Sequence, residues 1–259
     1  MLTDRLKKFI SAILPPAFWL GAWQFAAFWV DRAVEGRGNE LLLPYPASVG
    51  AALLRLCGSP LFWMTAAASL FRILLGMACG TATGAVLAGL TCANPWADRL
   101  ISPAVRVIRA TPVVSFILLI LLWTDRNAVP SIVAGLMVLP VVWGNLTRGI
   151  RETDPQLLEM AHAYRFSRWK TLRLIYLPSL KPYFLSAVTT AMGLSWKSGV
   201  AAEVLCLPKL AVGTQIHNNK LILEIPDFFA WTALVVALSL VLEHLLRWGL
   251  SRWKGGVSQ

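Results

Sequence analysis

The sequence predicts an all-α, polytopic membrane helix bundle, and three observations carry that prediction. Hydrophobic residues fill 57% of the 259 positions and charged residues only 14%, whereas soluble domains hold about 45–50% and about 25%. The remaining charges fall between apolar runs of about 20 residues, the length a helix needs to cross hydrocarbon. No long polar block separates these runs, so residues 1–259 read as one transmembrane domain with a mean hydropathy of +0.62. Disordered, collagen-like and disulfide-scaffold classes are excluded by this composition.

About six spans are expected. The first, residues 9–30, is bracketed by Lys8 and Asp31. It is longer than a secretory signal core and no A-x-A site follows it, which favours an uncleaved anchor. The others cover about 62–90, 107–123, 129–146, 183–205 and 228–248. In the second, Gly76, Gly80 and Gly84, followed by Ala88, recur every four residues and share one helix face. Missing side chains there let another backbone approach closely, the kind of packing that joins helices in lipid. A contact within the chain and one across a dimer both remain open.

Six spans put both termini on one side, and the basic residues choose which. One set of connections holds Arg5, Lys7, Lys8, Arg99, Arg106, Arg109, Arg148, Arg151, Arg165, Arg168, Lys170, Arg173, Lys181, Arg247, Arg252 and Lys254. The other holds only Arg32, Arg37, Arg55, Arg126, Lys209 and Lys220. The richer side is expected to be cytoplasmic, with both termini in it. The net charge of +11 thus reports topology, and no nucleic-acid partner is expected. Trp63, Trp96, Trp123, Trp248 and Trp253 sit at expected span ends, where amphipathic rings favour the interface, whereas Trp143 and Trp196 read as apolar bulk.

Catalytic and metal chemistry find no support in the residues. Cys57, Cys79, Cys92 and Cys206 form no C-x-x-C pair, and His162, His217 and His244 fall in separate segments. There is no H-E-x-x-H, no G-x-S-x-G elbow and no phosphate-cradling G-x-x-x-x-G-K-[ST] loop. Four charges, Arg72, Lys197, Glu203 and Glu243, fall within or near spans and sum to zero. Such groups face an interior or a water-filled path. Arg72, Lys197 and Glu203 are therefore candidates for a translocation path, with structural counter-ions the competing reading. Lys197 and Glu203 lie six residues apart, roughly 240° around a helix, so pairing needs another helix or a second copy. Glu243, near a span end, is expected to snorkel.

The longest basic connection, about 148–182, carries the most local information. Asp154 before Pro155 is a strong helix start, an acceptor at the cap and then a residue whose missing N–H costs nothing. The helix is expected to pass through Leu157, Leu158, Met160, Ala161 and Tyr164, with Leu157, Ala161 and Tyr164 forming one apolar stripe open to a partner. Ser167 is expected to cap a second helix that stops at Pro178. The result is a helix-turn-helix outside the bilayer.

Glu159-Met160-Ala161, Arg165, Ile175, Leu177 and Pro178 have the spacing of the motif E-A-A-x3-G-x9-I-x-L-P. In this the chain resembles the permease subunits of binding-protein-dependent ABC importers. Leu43-Pro44-Tyr45-Pro46-Ala47-Ser48-Val49, Ser69-Leu70-Phe71-Arg72, the series Asp98, Pro103, Arg109, Pro112 and Trp123, then Ala202-Glu203 and Val212-Gly213 are similar to segments of the nitrate, sulfonate and taurine branch. Arg165 stands where the motif has Gly, Met160 where it has its second Ala, and Leu118 where the branch often has a second Pro.

The resemblance implies a type I importer permease fold in a prokaryotic cytoplasmic (inner) membrane. It implies a homodimer with two ABC ATPase copies, which carry the ATP and Mg, and no cofactor on this chain. It also implies an external solute-binding protein or lipoprotein that delivers a small solute, nitrate-, sulfonate- or taurine-like or another small molecule, amid membrane lipid. ATPase coupling would fall to Leu157, Glu159, Met160, Ala161, Tyr164 and Arg165, with Ile175, Leu177 and Pro178. An ion-coupled secondary transporter working without an ATPase is the alternative.

Overall fold

The computed structural model describes residues 2–33 and 41–254, with side chains for 14–33 and 41–249. Arg37 lies outside the described residues, as do the side chains of Arg5, Lys7, Lys8, Arg252, Trp253 and Lys254. Regular structure among the described residues is helical: α1 (Leu2–Ala33), α2 (Pro46–Cys57), α3 (Pro60–Ala93), α4 (Pro95–Ala110), α5 (Val113–Leu121), α6 (Val129–Arg151), α7 (Pro155–Ala163), α8 (Arg168–Thr171), a π-helical turn (Leu172–Tyr176), α9 (Leu177–Cys206), α10 (Val212–Leu221) and α11 (Ile225–Lys254). Proline opens α2, α3, α4 and α7, where its fixed φ suits the first turn and no hydrogen bond is lost.

Of the described helices, Pro60–Ala93, Val129–Arg151 and Ile225–Gly249 are each long and apolar enough to cross a membrane. The third expected span is corrected: residues 107–123 are not one helix. α4 and α5 meet at a 103° change of direction and form at most one broken span. Thr111 (ψ 132°) and Pro112 (ψ 137°) are extended because proline's ring excludes the residue before it from the α region and supplies no N–H. The nine residues of α5 rise only about 13 Å, far less than the roughly 30 Å of hydrocarbon. α9, 30 residues long, contains the expected fifth span.

By its contacts the chain divides into two compact units, Met1–Ala66 with Gln215–Val236, and Ala67–Thr214 with Ala237–Gln259. In the first, Val49, Ala52 and Ala230 form a small core flanked by Trp23 and Phe229, whose rings stack at 5.9 Å. The Trp23 indole donates to the Pro44 carbonyl at 3.1 Å, Tyr45 donates to Asp31 at 2.9 Å, and Arg55 pairs with Asp227. Phe62, 2% exposed, lies 4.8 Å from the Trp231 ring.

The second unit is built on α6 and α9, its most extensively paired helices. Met77, Ala88, Val138, Val142, Leu146, Ala187, Val188 and Ala191 make its larger core. α5 closes another with Ile117 and Ile120 against Val129, Val133, Ala202 and Cys206. The glycine face of α3 meets α6 within the chain. A Cβ at Gly76 would collide with the Ser131 backbone, one at Gly80 with the Gly135 backbone, and one at Gly84 would stand 2.9 Å from the Leu139 carbonyl oxygen. The Ser131 hydroxyl, donating to the Arg72 carbonyl at 2.8 Å, ties the same contact. Trp63, Trp96, Trp123 and Trp248 are exposed, whereas Trp196 is buried. Glu243 is held by Arg247 at 2.6 Å.

Gly80→Ala is expected to destabilise the detergent-solubilised protein by about 1–3 kcal/mol, because backbone cannot rotate out of the way. Gly89→Ala, on the same helix with open space around it, should be neutral or slightly stabilising. Thermal unfolding of both variants checks this, and equal behaviour of the two would dissolve the contact's importance.

Candidate functional site

The segment between α6 and α9 builds the exposed turn. Asp154 accepts the Gln156 N–H at 2.8 Å and Pro155 follows, so α7 starts as its sequence dictates. It ends as decisively. Arg165 N–H donates to His162 O at 3.0 Å and Phe166 N–H to Ala161 O at 2.9 Å, the paired bonds of a Schellman cap. Such a cap needs one left-handed residue, and Arg165 takes that role at φ 53°. The motif's glycine position is thus left-handed here with a side chain on it. Ser167 then caps α8, accepting the Lys170 N–H at 3.3 Å, and the Lys170 ammonium sits 4.1 Å from the Phe166 ring centroid.

Two expectations are corrected in this segment. The second helix does not stop at Pro178. Through the π-helical turn it continues into α9, with the Leu177 N–H bonded to Leu172 O. A π turn is wider than an α turn, and placed just before Pro178 it gives the ring room where a regular turn would clash. Nor do Leu157, Ala161 and Tyr164 present one free stripe. Ala161 is only 4% exposed, as Ile175 is only 3%, and both lie inside the fold. Leu157, Glu159, Met160, Tyr164, Arg165, Leu177 and Pro178 are exposed. The small Ala161 lets the chain fold back over it, and only the seven exposed residues can touch a partner.

The base of the turn holds a residue that sequence reasoning missed. Glu152 accepts from the Tyr183 hydroxyl at 2.6 Å and from Arg148 at 2.7 Å. These two donors, Tyr183 first, hold its carboxyl below the usual glutamate range. Nearby, Arg151 pairs with Asp98 at 3.2 Å. The pair Glu152 and Tyr183, 31 positions apart, leaves no local signal in the sequence.

The charges within the helices separate into two groups. Glu203 has no exposed surface and pairs with Arg72 at 2.7 Å. It also accepts from the Ser69 hydroxyl at 2.9 Å and the Gly213 N–H at 3.1 Å. Ser69 in turn accepts the Val212 N–H at 2.9 Å, and a second Arg72 nitrogen donates to Lys209 O at 3.2 Å. Ser69 and Arg72, Glu203, and Val212-Gly213, which the sequence presents as three distant segments, therefore form one cluster. At Gly213 a Cβ would stand 2.5 Å from that of Glu203, so glycine is required there. Removing one member of a buried pair leaves the other uncompensated, at about 3–5 kcal/mol.

Lys197 is outside this cluster, exposed on α9. Between α4, α6 and α9 runs an open groove of about 610 Å³, with Arg109, Met137, Asn145, Arg148, Thr190 and Leu194 among its walls. Arg109 entered the sequence reading only as a topology and motif residue, and Asn145 and Thr190 not at all.

Arg165→Gly should stabilise the protein by about 1 kcal/mol, since glycine adopts positive φ without the steric cost of a side chain. A rise in unfolding temperature checks it; a fall would mean the side chain's contacts outweigh the backbone term.

Comparison with known proteins gives the family. The family described as "Binding-protein-dependent transport system inner membrane component" matches residues 80–254. The chain is 29% identical over 206 residues to the "Putative aliphatic sulfonates transport permease protein SsuC" of Escherichia coli (strain K12), covering 79% of this chain and 77% of that one. It is 28% identical over 231 residues to the "Riboflavin transport system permease protein RibX" of Chloroflexus aurantiacus, covering 88% and 86%. Its fold is similar to that of a chain in the crystal structure of a bacterial ABC transporter involved in the import of the acidic polysaccharide alginate. There the TM-score is 0.64 at 15% identity, over 96% of this chain and 99% of that one. The chain belongs to the binding-protein-dependent transport system inner membrane components, as a membrane-spanning permease subunit of an ABC importer.

Proposed function

We propose that two copies of this chain, each a single transmembrane permease domain, form the translocation path, and that each copy offers residues 154–168 to an ABC ATPase. ATP and Mg belong to that partner. The observation that carries the proposal is the α7 turn: exposed Leu157, Glu159, Met160, Tyr164 and Arg165 on a doubly capped helix end that continues through α8 and the π-helical turn into α9. A push on α7 passes through the capped turn at Arg165 to α8, from which helical backbone runs unbroken through the π-helical turn into α9. Closure of two ATPases then tilts α9 and alternates access to the path.

The basic residues of the 148–182 connection support a cytoplasmic side for this turn and for both termini, in the inner membrane of a prokaryote. On the opposite side a solute-binding protein or lipoprotein delivers a small solute. Sulfonates and riboflavin, named for two relatives, differ widely in charge and size, and cargo choice rests largely with that external protein. Exposed Leu157 and Met160 would enter an apolar groove on the ATPase while Glu159 meets a basic rim. Small apolar anchors ringed by charge are how such interfaces are built.

Glu159→Lys is expected to leave insertion and folding intact while lowering ATP-dependent uptake and solute-stimulated ATPase activity about tenfold, the effect of about 1.4 kcal/mol at the interface. Measuring membrane-inserted protein, uptake and ATPase rate side by side checks it. Unchanged coupling in the inserted variant would overturn the assignment of the turn.

A further inference from the structure

Arg72 and Glu203 satisfy each other, which takes both out of contention as groups that meet a solute. Lys197 and Arg109 remain. Among the described residues neither Lys197 nor Arg109 has an ion-pair partner, whereas Arg148, the third base near the groove, is neutralised by Glu152 at 2.7 Å. Lys197 is exposed on a helix that lies within the membrane domain. Such an ammonium is costly against hydrocarbon and faces water or protein instead.

Helix geometry shows which way it faces. Thr190 and Leu194 line the groove, and Lys197 follows them seven and three residues on, on the same α9 face just beyond the lining residues. The same groove takes Arg109 from α4 and Asn145 from α6, and no carboxylate is among the residues that line it. The Thr190 hydroxyl donates back to Ser186 O and the Asn145 amide to Val141 O, so neither side chain adds charge. The groove wall thus carries positive charge with no carboxylate in its lining.

We propose that this α4–α6–α9 groove is the chain's half of the solute path and that Lys197 and Arg109 make it selective for small anions. The proposal rests on the permease reading above and deepens it by naming the solute's charge. Anions are drawn into the groove by the two cations, while cations are repelled before they reach Thr190. Carboxylates, sulfonates and oxyanions are the matching chemistry.

The test needs no knowledge of the cargo. Thr190→Cys, in the full chain within its native membranes, is treated with the anionic probe 2-sulfonatoethyl methanethiosulfonate and the cationic probe 2-(trimethylammonio)ethyl methanethiosulfonate. Each rate, above that of the unsubstituted chain, is normalised to the probe's reaction with free cysteine. Lys197 stands seven residues from Thr190, about 10 Å along the helix. One unit charge at that distance and an effective dielectric near 20 favours the anion and disfavours the cation by about tenfold each, a preference of about a hundredfold. The expected result is that preference, lowered at least tenfold in Thr190→Cys/Lys197→Gln and brought to near unity when Arg109→Gln is added. Leu194→Cys repeats the measurement should the first variant fold poorly. Modification by both probes with no anion preference would overturn the selectivity and leave the path standing. Modification by neither, while Tyr164→Cys reacts, would show that water does not enter the groove and would remove the path itself.

Discussion

A carboxylate buried inside a membrane domain has to be answered from within the chain, because hydrocarbon offers no hydrogen bonds. Glu203 is answered by a guanidinium and a hydroxyl from α3 and by a backbone N–H at the start of α10. That requirement positions three segments at once. It fixes the register of α3 against α9, and it draws the connection 207–211 back over the end of α9, where Leu207 and Leu210 both take positive φ. Below it on α3 the glycine face seats on α6 at backbone distance. The ion pair and the close contact share Arg72, whose side chain holds Glu203 and whose carbonyl accepts from Ser131.

α9 is the element on which the functional features converge. Its beginning is the continuation of the exposed turn through the π-helical segment, its middle sets Thr190 and Leu194 in the groove wall with Lys197 one turn beyond, and its end holds Glu203. In the proposed coupling, displacement of the turn acts on one helix that both walls the groove and is latched at its far end. The polar content that gives α9 this role, including Ser186, Thr190, Lys197 and Ser198, also makes it less apolar than α3, α6 or α11. It is interior by composition, and α6 is its main neighbour.

What the sequence made legible was local. Asp154-Pro155 and Ser167 act through hydrogen bonds within two or three residues, so the caps of α7 and α8 could be read directly. The glycine spacing of α3 follows from helix periodicity alone, though only the structure identifies α6 as the partner. Non-local competition decided the rest. Pro112 broke the third expected span because the ring's exclusion of Thr111 from helical geometry outweighs continuous apolarity. Pro178 failed to break a helix because a π turn relieved the same kind of clash. Ala161 and Ile175 turned inward because the Schellman cap folds the chain over its own last turn. Resemblance to a motif pointed to the segment, yet could not separate the residues that shape the turn from those left exposed.

The central claim is that this chain moves solute only in company with an ATPase gripping the α7 turn. The most direct measurement is purification of the tagged chain from its native membranes in mild detergent, with mass determination of the intact assembly and an ATPase assay. The account predicts two copies of this chain with two copies of a subunit bearing a phosphate-cradling loop, and ATP hydrolysis by the assembly. A chain that purifies without any ATPase and still drives uptake into liposomes under an ion gradient would contradict it.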